Sequence, residues 1–563
     1  MSVTLKLEST SDLPKPTKPN RFLGSHQWYS QNWPLLAALL VLWLTVAGLF
    51  VLSVRQETVG FHPPYALDDV YIHMAIAKNL VQHGIWGVNP YEFSSVSSSL
   101  LWPLLLAASY LFTKVNEYAP FGLNLIFASL ILVCIHYNLR KYRVARLYLF
   151  GLLLAVILLA PLPTLIFVGM EHNLHILVLL LFINLSLKVL SQSKSDWKTL
   201  TLWLGLAVLA TTVRYESLFI VAVISGLLLL RRHWWEAGAV AIAASAPVGI
   251  YGLFSMANGS LWLPNSIVIK SHPFMLNFGS LFNLFGYSDF KGKEHIPFLV
   301  APHLLTLAIA TLLVYRTRYS ERTGFWNDAQ LWLVIFGVTA FLHLQLAGIG
   351  WFYRYEDYVI VLGLVGLAHA WFEDWETHAP TFGLSRKGWP KHAATIILAF
   401  VLLLPLSDRA VRALDLTPQA NTNIYEQQYQ VGLFLRQYYT GEAVAANDIG
   451  AINYLADLKS VDLSGLGTVE ITRLARENPA TQQAHIVTIL HTRGVKIAVV
   501  LDGYSPPVGW IAVGRWQTPN PVVLAADTVW FYALADSEVE HLRTSLQQFG
   551  PNLPKTVQQT IIK

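Results

Sequence analysis

The sequence predicts a polytopic α-helical membrane protein that ends in a smaller α/β domain, and three observations carry that reading. Of 563 residues, 54% are hydrophobic and only 13% are charged, against roughly 25% charge in an ordinary soluble protein. Apolar runs long enough to cross a bilayer, or nearly so, recur from Trp33–Val54 to Ala393–Leu406. From residue 409 those runs stop. Helical stretches (Ile424–Tyr438, Thr481–Arg493) then alternate with β-like runs (Ala443–Ala446, Lys496–Leu501, Val529–Ala533).

Three regions follow in order. Residues 1–33 form a polar tail carrying Lys6, Lys15, Lys18 and Arg21 with no small-residue cleavage site behind it, which predicts a disordered cytosolic segment. Residues 34–408 form the membrane frame, with a first outer loop over 55–118, and residues 409–563 form the α/β domain. Cys134 is the single cysteine, so there is no disulfide framework and no cysteine metal site.

Charge sets the direction of the spans. The clusters Arg140/Lys141/Arg143/Arg146, Lys194/Lys198, Arg231/Arg232, Arg316/Arg318/Arg322 and Arg386/Lys387/Lys391 are expected in the cytosol, which also accounts for the net charge of +5 without a nucleic-acid partner. The loops at Gly169–His172, Arg214–Glu216, Asn258–Phe298 and Trp351–Asp357 alternate with them and are expected outside. Leu100–Phe112 breaks the alternation if it crosses. At about 13 residues it is below the roughly 17 a span needs, so it is expected to dip rather than cross. The result is about eleven crossings, with the N-terminus inside and the C-terminal domain outside.

Within this frame the informative polar groups are those placed outside. Asp68 and Asp69 follow the first span, and a carboxylate at the bilayer centre costs roughly 2.5–3.5 kcal/mol, so the pair belongs at the aqueous edge. Tyr71, Ile72, Ala75, Ile76, Leu80 and Val81 recur behind it at helical spacing, while Lys78, Asn79 and Gln82 take the other face, which predicts an amphipathic helix lying on the membrane. The plainer role for the acids is to cap that helix. Glu171 is equally an acid at a helix start, and Arg214 and Glu216 can neutralise each other. Glu171, His172 and His175 are too loosely spaced for a metal site, and no metal is expected. Lys270 and Arg354 are cations that the positive-inside rule does not explain, so they are candidates for gripping a phosphate, with snorkelling as the plainer role. No P-loop, dinucleotide fingerprint, nucleophile elbow or zinc helix is present.

The motifs LDDVYIHMAIAKNL, GVNPYEFSSVSSSLLWPLL, VGMEHNL, RYES, LPNSIVIK and RYEDYVI, in this order, resemble the GT-C superfamily of lipid-dependent glycosyltransferases. Protein O-mannosyltransferases, aminoarabinose transferases of lipid A and mycobacterial arabinofuranosyltransferases belong to it, and VAANDIGAINYLADLKSVDLSGLGT is similar to a stretch of the last. The resemblance covers about residues 34–470. It implies a GT-C-like fold in a bacterial plasma membrane and an inverting transfer of a sugar from a polyprenyl phosphate to a glycan, lipid or protein hydroxyl. It further implies Asp68 as general base with Asp69 as its partner; Lys270, Arg354 and Arg214 on the donor phosphate; and Glu171, Glu216, Asn265 and Tyr355 as substrate-binding candidates. No cofactor beyond the lipid-linked donor is implied, with a divalent metal left open. His172 and Tyr215 depart from the Thr and Pro that relatives often carry there. A transporter is the alternative of another class, although the charges gather at one surface and no internal repeat is evident. A receptor explains the C-terminal domain but not the paired acids, and a ligase of whole glycans is the alternative among enzymes.

Overall fold

The computed structural model describes residues 25–56, 65–142, 144–192, 195–270, 327–348, 350–375, 389–474 and 479–563. The membrane frame begins with α1 (Ser25–Gln56), α2 (Asp69–His83), α3 (Leu101–Thr113), α4 (Ala119–Leu139), α5 (Arg146–Leu159), α6 (Leu162–Val168) and α7 (His172–Ser191). It continues with α8 (Trp197–Val213), α9 (Ser217–Leu230), α10 (Trp234–Ala257), α11 (Asn265–Lys270), α12 (Asp328–Leu346), α13 (Asp357–Trp375) and α14 (Trp389–Ile424). Among the described residues six helical segments are long and apolar enough to cross a membrane, and α3, α8, α9 and most of α13 are shorter apolar helices. The chain is a multi-pass membrane protein. The crossing implied between Phe298 and Arg316, and most of the 1–33 tail, lie outside the described residues. Residues 25–33 already belong to α1.

Two expectations change. The polar face of α2 does not lie wholly open: Lys78 is buried and its Nζ donates to the Tyr454 carbonyl and the Asp457 carboxylate, both at 2.9 Å, while Asn79 donates to the Gly87 carbonyl. The C-terminal domain covers Lys78, while Gln82 stays exposed. The boundary at 408/409 also moves. Asp408, Arg409 and Arg412 end the apolar run, yet α14 continues unbroken to Ile424, because Leu406, Ala410, Ala413, Thr417 and Ala420 keep a buried stripe at three- and four-residue spacing. Thr417 Oγ1 hydrogen-bonds Thr164 of α6, and Asn421 donates to Ser53 of α1, so this helix belongs to the frame as far as the π-helical turn Tyr425–Tyr429.

Beyond that turn the domain is a six-stranded sheet in the order β2-β1-β3-β5-β4-β6, built from β1 (Ala443–Ala446), β2 (Lys459–Asp462), β3 (Ile497–Leu501), β4 (Ile511–Gln517), β5 (Thr528–Ala533) and β6 (Gln558–Ile561). Pairing among β1, β2 and β3 is parallel, through intervening helices, and the other half is antiparallel. Phe434, Trp516, Phe531 and Phe549 interlock on one face of the sheet. β1, β3 and β5 fall on the runs expected from sequence. β2, β4 and β6 are further strands whose alternation is too short or too polar to stand out.

Candidate active site

Loops distant in sequence converge at the end of the frame that carries the C-terminal domain. Gly169, left-handed at φ 71°, ends α6 and turns the chain into Met170-Glu171; a Cβ there would sit 2.7–2.8 Å from Val70 and the Tyr65 ring, so the site is built for glycine. Glu171 then starts α7, completely buried, and accepts from Arg214 Nη1 at 2.8 Å. Arg214 also forks onto Glu216, with Nη2–Oε1 at 2.5 Å and Nε–Oε2 at 3.2 Å. Burial opposes the Arg214 charge, but the two glutamates outweigh it and hold the guanidinium above its usual range. Glu216 in turn is drawn down to about 2 by Arg214, against the upward pull of burial.

Arg354 comes from a different construction. Gly350, Trp351, Phe352 and Tyr353 all have positive φ (82°, 41°, 56° and 66°), a conformation costing roughly 1–2 kcal/mol per L-residue. Arg354 follows this turn with 1% exposure. Its Nη2 donates to Asp69 Oδ2 at 2.5 Å and to Tyr355 OH at 3.2 Å, and its Nη1 rests on Met170 Sδ. Burial opposes this charge too, and Tyr355 and Asp69 more than restore it.

These groups surround a cavity of ≈ 380 Å³ whose walls include Asp69, His73, Ser97, Met170, Arg214, Glu216, Arg354, Tyr355 and, from the C-terminal domain, Leu466. That volume lies within the roughly 300–1,000 Å³ of small-ligand sites. His73, one helical turn after Asp69 on the same face of α2, hydrogen-bonds Ser97 Oγ through Nδ1 at 3.1 Å and lies 3.8 Å from Glu171. Burial lowers the His73 pKa below 6.5.

The comparisons extend over nearly the whole chain. ArnT from Cupriavidus metallidurans, solved bound to undecaprenyl phosphate, superposes with a TM-score of 0.50 at 12% identity over 91% of this chain and 99% of that chain. Its apo state does so at 0.50 and 13% identity over 91% and 98%. The fold is GT-C-like, as expected. An oligosaccharyltransferase from Archaeoglobus fulgidus, in complex with Zn and sulfate, is similar at a TM-score of 0.45 and 11% identity, over 91% and 74%. A family model described as a domain of unknown function (DUF8728) matches residues 422–532. No curated protein matches this chain in sequence.

On this GT-C frame the expected site residues separate into two groups. Asp69, Arg214, Glu216, Arg354 and Tyr355 share the cavity. Glu171 stands behind Arg214, outside the wall. Asn265 ties α11 down, accepting nothing from the cavity but donating its amide N–H to Ser95 O at 2.7 Å and Nδ2 to Leu466 O at 3.1 Å. The Lys270 side chain lies outside the described residues. Asp68, expected as the base, points the other way. Its two oxygens accept the Gly450 and Ala451 N–H groups at 2.8 Å each, and a Cβ on Gly450 would come within 2.2 Å of the Asp68 carbonyl oxygen. Burial, reinforced by nearby Asp448, pushes the Asp68 carboxyl up to about 8. Sequence reasoning missed His73 and Leu466. The four-residue spacing Asp69–His73 was the available signal for the first, and the resemblance of the stretch VAANDIGAINYLADLKSVDLSGLGT was the only pointer to the second.

Proposed function

We propose that the protein is a membrane glycosyltransferase that moves one sugar from a polyprenyl-phosphate donor to an acceptor hydroxyl of a glycan, lipid or protein, at the extracytoplasmic face that carries the C-terminal domain. One observation carries the reading: on a GT-C frame, Asp69 and Arg354, 285 residues apart, meet at the wall of a single cavity. Asp69 is the general base in preference to Asp68, whose oxygens are both engaged by the C-terminal domain. Donor phosphate competes with Asp69 for Arg354. As the guanidinium turns to the phosphate, the carboxylate is released toward the acceptor.

The acceptor oxygen bonds to the anomeric carbon as the carbon–oxygen bond to phosphate breaks. The hydroxyl proton passes to Asp69, and the electron pair leaves with the polyprenyl phosphate, whose charge Arg354 holds. One displacement inverts the anomeric centre and needs no covalent enzyme intermediate. Lys270 remains a candidate second cation. The cavity volume favours a single sugar over a whole glycan.

The test is acceptor-dependent release of polyprenyl phosphate by purified protein. Asp69→Asn is expected to abolish release while Asp68→Asn retains measurable turnover. The reverse order would return the base role to Asp68.

A further inference from the structure

Four consecutive residues, Gly350–Tyr353, hold left-handed backbone immediately before Arg354. L-residues do not hold such a run unaided, because Cβ crowds the following carbonyl. The anchor is visible. Glu356 Oε2 accepts the Gly350 N–H at 2.9 Å, at the start of the turn. Arg409 Nη2 donates to the Tyr353 carbonyl at 2.8 Å, at its end. Arg409 and Glu356 are joined to each other, Nη2–Oε1 at 2.8 Å and Nε–Oε1 at 3.2 Å, and Arg409 Nη1 fastens the pair to the Leu159 carbonyl of α5 at 2.8 Å. The guanidinium also lies over the Tyr353 ring, 5.3 Å from its centroid. Both partners are at least 97% buried, and neither is among the groups that wall the cavity.

We infer that Arg409 and Glu356 are a positioning pair: by clamping both ends of the left-handed turn to α5 and α14, they set the location and direction of Arg354 and so govern affinity for the donor phosphate. The inference rests on the proposed role of Arg354. A guanidinium is required because the clamp uses Nε, Nη1 and Nη2 in three directions, which a single ammonium nitrogen does not reproduce.

The experiment compares KM for the polyprenyl-phosphate-sugar donor in full-length purified protein carrying Glu356→Gln, Arg409→Lys, Arg354→Lys and the double variant Arg354→Lys/Glu356→Gln. Thr417→Val, in the same helix but away from the turn, controls for loosened packing. Glu356→Gln and Arg409→Lys are each expected to raise donor KM at least tenfold, with acceptor KM within twofold of the parent and folding retained. In the double variant Glu356→Gln is expected to add less than twofold to the Arg354→Lys effect, because its action passes through that side chain. Thr417→Val is expected to leave donor KM within twofold. Multiplicative effects, an unchanged donor KM, or variants that simply unfold would each overturn the positioning role while leaving Arg354 as the phosphate cation. If Arg354→Lys itself leaves donor KM unchanged, the reading of the site fails instead.

Discussion

Arg214 and Arg354 look into one cavity from different loops, yet their surroundings are opposite. Arg214 is flanked by Glu171 and Glu216, two carboxylates for one guanidinium, so that corner carries an excess negative charge. Arg354 faces only Asp69 among carboxylates in the described residues, rests on the uncharged sulfur of Met170, and keeps Nε without a hydrogen-bond partner there. On the proposed reading, the anionic donor phosphodiester is disfavoured at the first corner and favoured at the second. Two buried arginines in one cavity are therefore not two equivalent anion sites, and the count of carboxylates around each decides between them.

The contrast can be broken at several points. The largest effect is expected from Asp69→Asn, which removes the proposed base and should lower kcat by roughly 10²–10⁴, read as acceptor-dependent release of polyprenyl phosphate. Arg214→Gln strands Glu171 and Glu216, one of them fully buried, and should cost about 3–5 kcal/mol of stability. Unfolding midpoints in detergent check it, and a stable variant with weakened donor binding would erase the distinction between the corners. Arg354→Gln leaves behind a carboxylate with 28% of its side chain exposed, so stability should hold while donor KM rises about 10- to 150-fold, the worth of a charged hydrogen bond at roughly 1.5–3 kcal/mol. The smallest effect concerns His73, between the corners. Unfolded histidine takes its proton near pH 6.5, while burial holds the folded group lower. Below about pH 6.5 the unfolded chain binds the extra proton, so this contribution is full above that pH and is lost as pH falls toward the folded value. His73→Gln should flatten the decline of the unfolding midpoint between about pH 6.5 and 5.

Much of this arrangement was legible in the residues because membranes make charge conspicuous. Asp69, Arg214, Glu216 and Arg354 stand out against apolar flanks, and their shared end of the frame follows from alternation with basic loops. Two things were hidden. The distinction between Asp68 and Asp69 depends on Gly450 and Ala451, more than 380 positions away, and no local pattern encodes it. The continuation of α14 was masked by Asp408, Arg409 and Arg412, since a helix with one buried stripe in a protein groove reads as soluble once its other faces turn polar. Arg409 in particular reads as the start of a surface segment, although it is among the most enclosed cations of the chain.

The Asp68–Gly450 clasp also has a temporal side. Its members are separated by 382 positions, which at roughly 5–20 residues per second is about 20–75 s of ribosome time. Asp69 waits through 285 of those positions for the Arg354 guanidinium, and Asp68 through all 382 for its backbone donors. Closure of the Asp68 clasp is thus a late event in biogenesis, reached only after translation has passed the first strand of the final domain.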